Sequence, residues 1–154
     1  MKWTHFPLGA AAAIIVTVAG GNAPAQPAGK AGPTIFRDTT GASLPEGAEC
    51  TDLKTITVAF VGDTHYVKIK AGATFSKFLA GNFEPDSWEG AQQSLIPPDS
   101  WKEDLKFWQE NDIKNGKIYY TKKYTAAGGT TICSVIALNE SARTAFFVAA
   151  ECRD

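Results

Sequence analysis

Two alternating runs flank a Gly-Asp pair in the first half of the chain, and they limit the fold more than any other feature. In one run Ile56, Val58 and Phe60 alternate with Thr55, Thr57 and Ala59. In the other, Val67 and Ile69 alternate with Tyr66, Lys68 and Lys70. A period of two is that of a strand with one buried face, and Gly62-Asp63 between the runs is a hairpin signal. A turn at Gly62-Asp63 pairs Phe60 with His65, Val58 with Val67 and Ile56 with Ile69. All the apolar alternates then share one face, and a slip of one residue would lose that agreement.

The rest of the chain fits around this hairpin. Thr74 is placed to cap a short helix carrying Phe75, Phe78 and Leu79, with Gly81 as its stop. Residues 82–98 read as a long loop with a single turn near Asp86. Ser100 and Glu103 form an S-x-x-E capping box for a second helix, whose face carries Trp101, Leu105 and Trp108 and which Asn115-Gly116 ends. Three β-like runs follow, at 117–124, 130–138 and 145–152, separated by Ala127-Gly128-Gly129 and by 139–143. The order ββααβββ predicts an α+β domain: a single antiparallel sheet of about five strands, with one or two short helices on one face.

The N-terminal region reads differently. Lys2, an uncharged apolar run from Leu8 to Ala19 and the small-residue site Ala23-Pro24-Ala25 are the marks of an export signal, with the cut before Gln26. The run covers about 12 residues, whereas crossing a bilayer as a helix takes about 20. No cysteine follows the run to carry a lipid, and no Arg pair precedes it. Residues 26–47 are rich in Pro, Gly, Ala and Thr and read as a flexible spacer, with Ile35-Phe36 as a docking point. Residues 48–154 then form one globular domain, and the expected location is periplasmic or secreted.

Charge excludes some partners. The formal net charge is −1 and the signs are interspersed, with Lys122-Lys123 the densest basic spot. Nucleic-acid binding calls for a basic stripe, and membrane attachment by charge calls for a polybasic patch. Neither is expected, nor is membrane insertion after the signal is removed.

An oxidising compartment favours pairing among Cys50, Cys133 and Cys152. If the first and last strands are neighbours running antiparallel, all three meet at one end of the sheet. Cys50–Cys152 is then the preferred bridge, because it ties the ends of the domain and closes the longest loop, worth roughly 4–5 kcal/mol. Cys133–Cys152 is the second choice, at roughly 3 kcal/mol. Either leaves one thiol, whose plainest role is that of a small buried apolar group.

Candidate chemistry is sparse. After the signal, His65 is the one histidine, so a multi-His metal site is excluded and any Ser/His or Cys/His mechanism must use it. A His65–Cys133 pair is the fallback catalytic set, although a hairpin histidine facing Phe60 is more simply a core-edge residue. The acidic residues from Glu84 to Asp112 serve as helix-start and surface groups, and the EF-hand pattern is absent. No cofactor or metal is expected.

The aromatic set points to binding. Trp88, Trp101 and Trp108 lie close together, and Pro-Asp-Ser-Trp occurs twice, at 85–88 and 98–101. Periodic Trp101 and Trp108 read as the core face of a helix, and Trp88 as a loop residue free to meet a partner. Asp86, Trp88 and Trp101 are the expected contact surface. The function this supports is an exported binding protein, inhibitor-like or an accessory subunit of an envelope complex, whose partner is another protein or an envelope component. The alternatives are a small hydrolase using His65 with Cys133 or a carboxylate, and a structural or adhesion component joined through the odd cysteine.

Overall fold

The computed structural model describes residues 26–121 and 124–152. The expected export signal and the Lys122-Lys123 pair lie outside the described residues.

In chain order the elements are β1 (Gln26–Pro27), α1 (Ala31–Thr40), β2 (Glu49–Val58), β3 (Gly62–Lys70), α2 (Phe75–Asn82) and β4 (Glu84–Asp86). Then come α3 (Trp88–Leu95), a 3₁₀ turn η1 (Asp99–Trp101), α4 (Glu110–Lys114), β5 (Lys117–Tyr120), β6 (Tyr124–Thr125), β7 (Thr131–Asn139) and β8 (Thr144–Glu151). The strands make one antiparallel sheet in the order β1-β2-β3-β8-β7-β5-β4, with β6 paired to β7. The α+β class and the single antiparallel sheet match the expectation.

The helices cover both faces, where one face was expected. Val67, Ile69, Ile136, Leu138, Phe147 and Ala149 pack with Phe36 of α1 and Phe75 and Leu79 of α2. The alternate residues Tyr66, Val135, Ala137, Phe146 and Val148 pack with Ala91 and Leu95 of α3, with Leu105 and Trp108, and with Ile113 of α4. Phe146 and Phe147 are neighbours on β8 that point to opposite sides, and both are fully buried. A sheet covered twice needs apolar residues on both faces. That is why β7 and β8 read as continuous apolar runs.

The segment expected to be a spacer folds onto the domain. Its average composition is polar, but α1 inserts one large residue, Phe36, whose ring lies 4.9 Å from that of Phe147. Gly41 stops the helix at φ 75°, its N–H bonding Arg37 O at 2.8 Å. Gly32 allows the close approach of α1 to β2, since a Cβ there would lie 2.6 Å from Cys50 Cβ.

The middle of the chain also departs from expectation. The long loop contains β4 and α3, and Ser87 caps α3 by accepting the Gly90 N–H at 3.2 Å. The helix expected from Ser100 is broken: η1 covers one turn, no side-chain cap forms, and α4 begins only at Glu110. Of the two Pro-Asp-Ser-Trp copies, the first opens an α-helix and the second a 3₁₀ turn.

The hairpin forms, but in another register. His65 lies opposite Thr55, not Phe60, and Val67 lies opposite Leu53. The shift is by an odd number of residues, so Ile56 and Val67 fall on opposite faces.

Candidate functional site

The register shift moves the turn to residues 59–61 and leaves Phe60 at its tip. The Val61 N–H bonds Val58 O at 3.0 Å, closing a four-residue turn. Phe60 is its third residue, at φ 63°. Turns of type II give that left-handed position to glycine, and a bulky side chain there is strained. Phe60 is also 96% exposed, with Val61 at 37%; these are the large hydrophobics that stand exposed among the described residues. Strain and exposed apolar area together mark a contact element more than a structural one.

The hairpin behind the tip is held firmly. Thr57 donates to Asp63 at 2.6 Å, and the Thr55 hydroxyl meets His65 Nδ1 at 2.8 Å. Gly62, at φ 97°, sits against the Glu151 carboxyl group, which a Cβ would approach to 3.1 Å. Burial lowers the pKa of His65, opposed by the Asp63 charge, so the imidazole is held toward its neutral form.

The cysteines correct the preferred bridge. The disulfide joins Cys133 and Cys152, with Cα atoms 5.4 Å apart, and Cys50 is free and buried. β2 and β8 flank β3, each antiparallel to it, so they run parallel to each other. Cys50 is the second residue of β2, opposite Ile69, and Cys152 follows the end of β8, beyond Ala150, which lies opposite Thr64. Five residues of β3 separate those levels, about 16 Å of strand. Cys50 and Cys152 therefore lie toward opposite ends of the sheet. Burial, and secondarily the Glu49 charge, pushes the Cys50 thiol up to about 11, so it is a poor nucleophile.

The fallback pair His65 and Cys133 is not assembled. Cys133 is bridged and shares the face of Val135, whereas His65 shares the face of Val67. Among the described residues no group of three or more His, Cys, Asp and Glu side chains is gathered for a metal ion.

The three residues expected to make contact fall around α3 and η1. Trp88 and Trp101 are half-buried, both packed on the cluster that holds Trp108. The Trp101 ring meets Tyr66 edge-on at 6.3 Å. Asp86 accepts the Ser87 N–H at 2.7 Å and so orients the start of α3. Beneath them the Tyr66 hydroxyl is buried without a hydrogen-bond partner among the described residues. A cleft of about 250 Å³ between the end of α1 and β6, lined by Thr40, Gly41, Phe83, Thr121 and Tyr124, holds none of the expected site residues.

Phe60 as an exposed tip was not found by sequence reasoning, which faced it inward. The signal was present: Val61 directly follows Phe60 and breaks the alternation of Ile56, Val58 and Phe60.

No helix of the described residues is long and apolar enough to cross a membrane. No protein-family model, curated protein or solved structure matches the chain.

Proposed function

We propose that this chain is an exported binding protein, working in the periplasm or outside the cell, whose contact element is the turn between β2 and β3. The observation that carries the reading is Phe60, an aromatic residue 96% exposed at a left-handed backbone position. A rigid aromatic on a braced hairpin loses little entropy on docking, and such residues dominate binding energy in interfaces. Asp63 and Glu151 flank the tip with negative charge, so the partner is a protein with an apolar pocket and a basic rim, engaged in the manner of an inhibitor or an accessory subunit. Export is supported by the leader pattern of residues 1–25 and fits a Cys133–Cys152 bridge. The Cys133 form of the hydrolase reading loses its nucleophile to the bridge, and a bridge to another chain through Cys50 is opposed by its burial.

The test is retention of envelope proteins by immobilised mature chain, comparing wild type, Phe60→Ala and Trp88→Ala. A partner held by wild type and Trp88→Ala but lost by Phe60→Ala supports the turn. Loss with Trp88→Ala alone moves the contact to the Asp86, Trp88 and Trp101 surface. Equal retention by all three removes both.

A further inference from the structure

We propose that the outer edge of β2 pairs with the same edge of a second copy of this chain, antiparallel about a two-fold axis at Ile56. The proposal rests on the preceding reading only in treating Phe60 as a contact residue; its main support is the strand edge itself. β1 covers β2 only opposite Asp52 and Leu53. The Ala28 N–H reaches Thr51 O at 3.4 Å, and Gln26 lies opposite Leu53. Antiparallel strands turn alternate residues outward, so after Leu53 the outward backbone groups are those of Thr55 and Thr57. Among the described residues no strand lies against them.

The chain's own leader is a poor occupant. Continuing β1 in register would place Pro24 opposite Thr55, a position that needs an N–H, and proline has none. A second copy fits the open window. With the axis at Ile56, Thr55 of one copy faces Thr57 of the other on both sides, and each such pair exchanges two N–H···O=C bonds. Lys54 then faces Val58 of the other copy. The window is bounded at one end by β1 and at the other by the turn, and Ile56 is its midpoint. Phe60 and Val61, the exposed large hydrophobics of the described residues, follow Val58 after Ala59 and would be covered near the second copy's β1. So short an edge buries less than the roughly 1,200 Å² of a stable interface, which makes the pairing weak, with a Kd on the order of 100 µM.

Sedimentation equilibrium of the mature chain from about 1 µM to about 1 mM reads the association directly. The wild type is expected to dimerise at the upper end. Thr57→Pro removes an outward N–H at a position an edge strand tolerates and should stay monomeric with its circular dichroism unchanged. Independently, diamide should oxidise Ile56→Cys chains to a disulfide dimer, because the same residue meets itself across the axis. Thr57→Cys, facing Thr55, should not link. A wild type that stays monomeric at about 1 mM with no Ile56→Cys link overturns the pairing but leaves the partner reading standing. Thr57→Pro dimerising like wild type, or Thr57→Cys linking as readily as Ile56→Cys, overturns it as well. Failure of Phe60→Ala to lose its envelope partner would sink the earlier reading and leave the sedimentation result untouched.

Discussion

Trp108 donates its indole N–H to the carbonyl of Leu95 at 2.7 Å, pinning the end of α3 to the stretch between η1 and α4. Neither residue lies in a long regular helix, so this bond does what a continuous helix would otherwise do. The Trp108 ring also meets Tyr66 at 5.0 Å and Phe146 at 5.3 Å, both edge-on. Trp108→Ala removes the ring contacts and leaves the Leu95 carbonyl unpaired. It should cost about 3–5 kcal/mol, a large share of the roughly 5–15 kcal/mol that holds a domain together. Trp88, half-buried at the start of α3, should cost roughly 1–2 kcal/mol when truncated. Urea denaturation of both variants checks the order, and equal losses would show that Trp88 belongs to the core.

The cysteines should separate cleanly by mass mapping. Peptides from the unreduced protein should contain a Cys133–Cys152 link and one thiol, Cys50, that takes alkylating reagent only after unfolding. Cys152→Ala opens a loop with a sequence separation of 19 and should lower stability by about 3 kcal/mol. A native chain whose Cys50 reacts at once would contradict its burial between α1 and β2.

His65 gives stability a pH dependence of known sign. Its pKa is lowered in the folded state, chiefly by burial. Below the ordinary value of 6.5, the unfolded chain takes up the proton first. The contribution of His65 is therefore complete above pH 6.5, declines as pH falls below it, and is fully lost once the lowered folded pKa has been passed. Denaturation midpoints measured across that range should fall less steeply for His65→Gln than for wild type. Identical slopes would assign the dependence to the carboxylates.

The outline of the fold was legible where the local pattern agreed with the global one. α2 begins after Thr74 as expected, although Thr74 makes no side-chain cap and the helix passes Gly81 to end at Asn82; the Asn115-Gly116 stop and the turns before β7 and β8 stand where the residues place them. The double-sided sheet was missed by the expectation of helices on one face, although its signal stands in Ile132 to Leu138 and in Ala145 to Ala150, runs with no polar alternation beyond Ser134. A one-sided sheet cannot use such strands, and the excess apolar residues call for a second layer of helices. Cys133–Cys152 stood as the second choice of bridge; its precedence over Cys50–Cys152 was not legible, since it depended on β3 lying between β2 and β8, a long-range pairing that spacing does not encode. The hairpin register was misread because Gly62-Asp63 is a favoured turn pair, whereas the chain turns earlier, through a phenylalanine in a conformation its side chain disfavours. The candidate site is hidden by the same turn pair, since a turn at Gly62-Asp63 would face Phe60 inward, whereas the turn at 59–61 leaves it exposed.

Phe60→Gly should make the protein more stable and less able to bind. A non-glycine residue in the left-handed region costs about 1–2 kcal/mol. Phe60 buries almost nothing to offset that, being 96% exposed. Glycine removes the strain but adds freedom to the unfolded chain, worth about 0.5–1 kcal/mol in the other direction. The net expectation is a gain of up to about 1 kcal/mol. Phe60→Asn is the companion variant, because asparagine tolerates the left-handed region without the full entropy cost of glycine. It should match or exceed glycine in stability. Both variants lack the ring and should bind the envelope partner at least tenfold more weakly, as expected when a residue worth about 2 kcal/mol is removed. Melting and binding measured on the same samples separate the two effects. Should Phe60→Gly and Phe60→Asn both lower the melting temperature, the ring is held by contacts within the fold, and the strained turn would be a structural element with no partner to explain it.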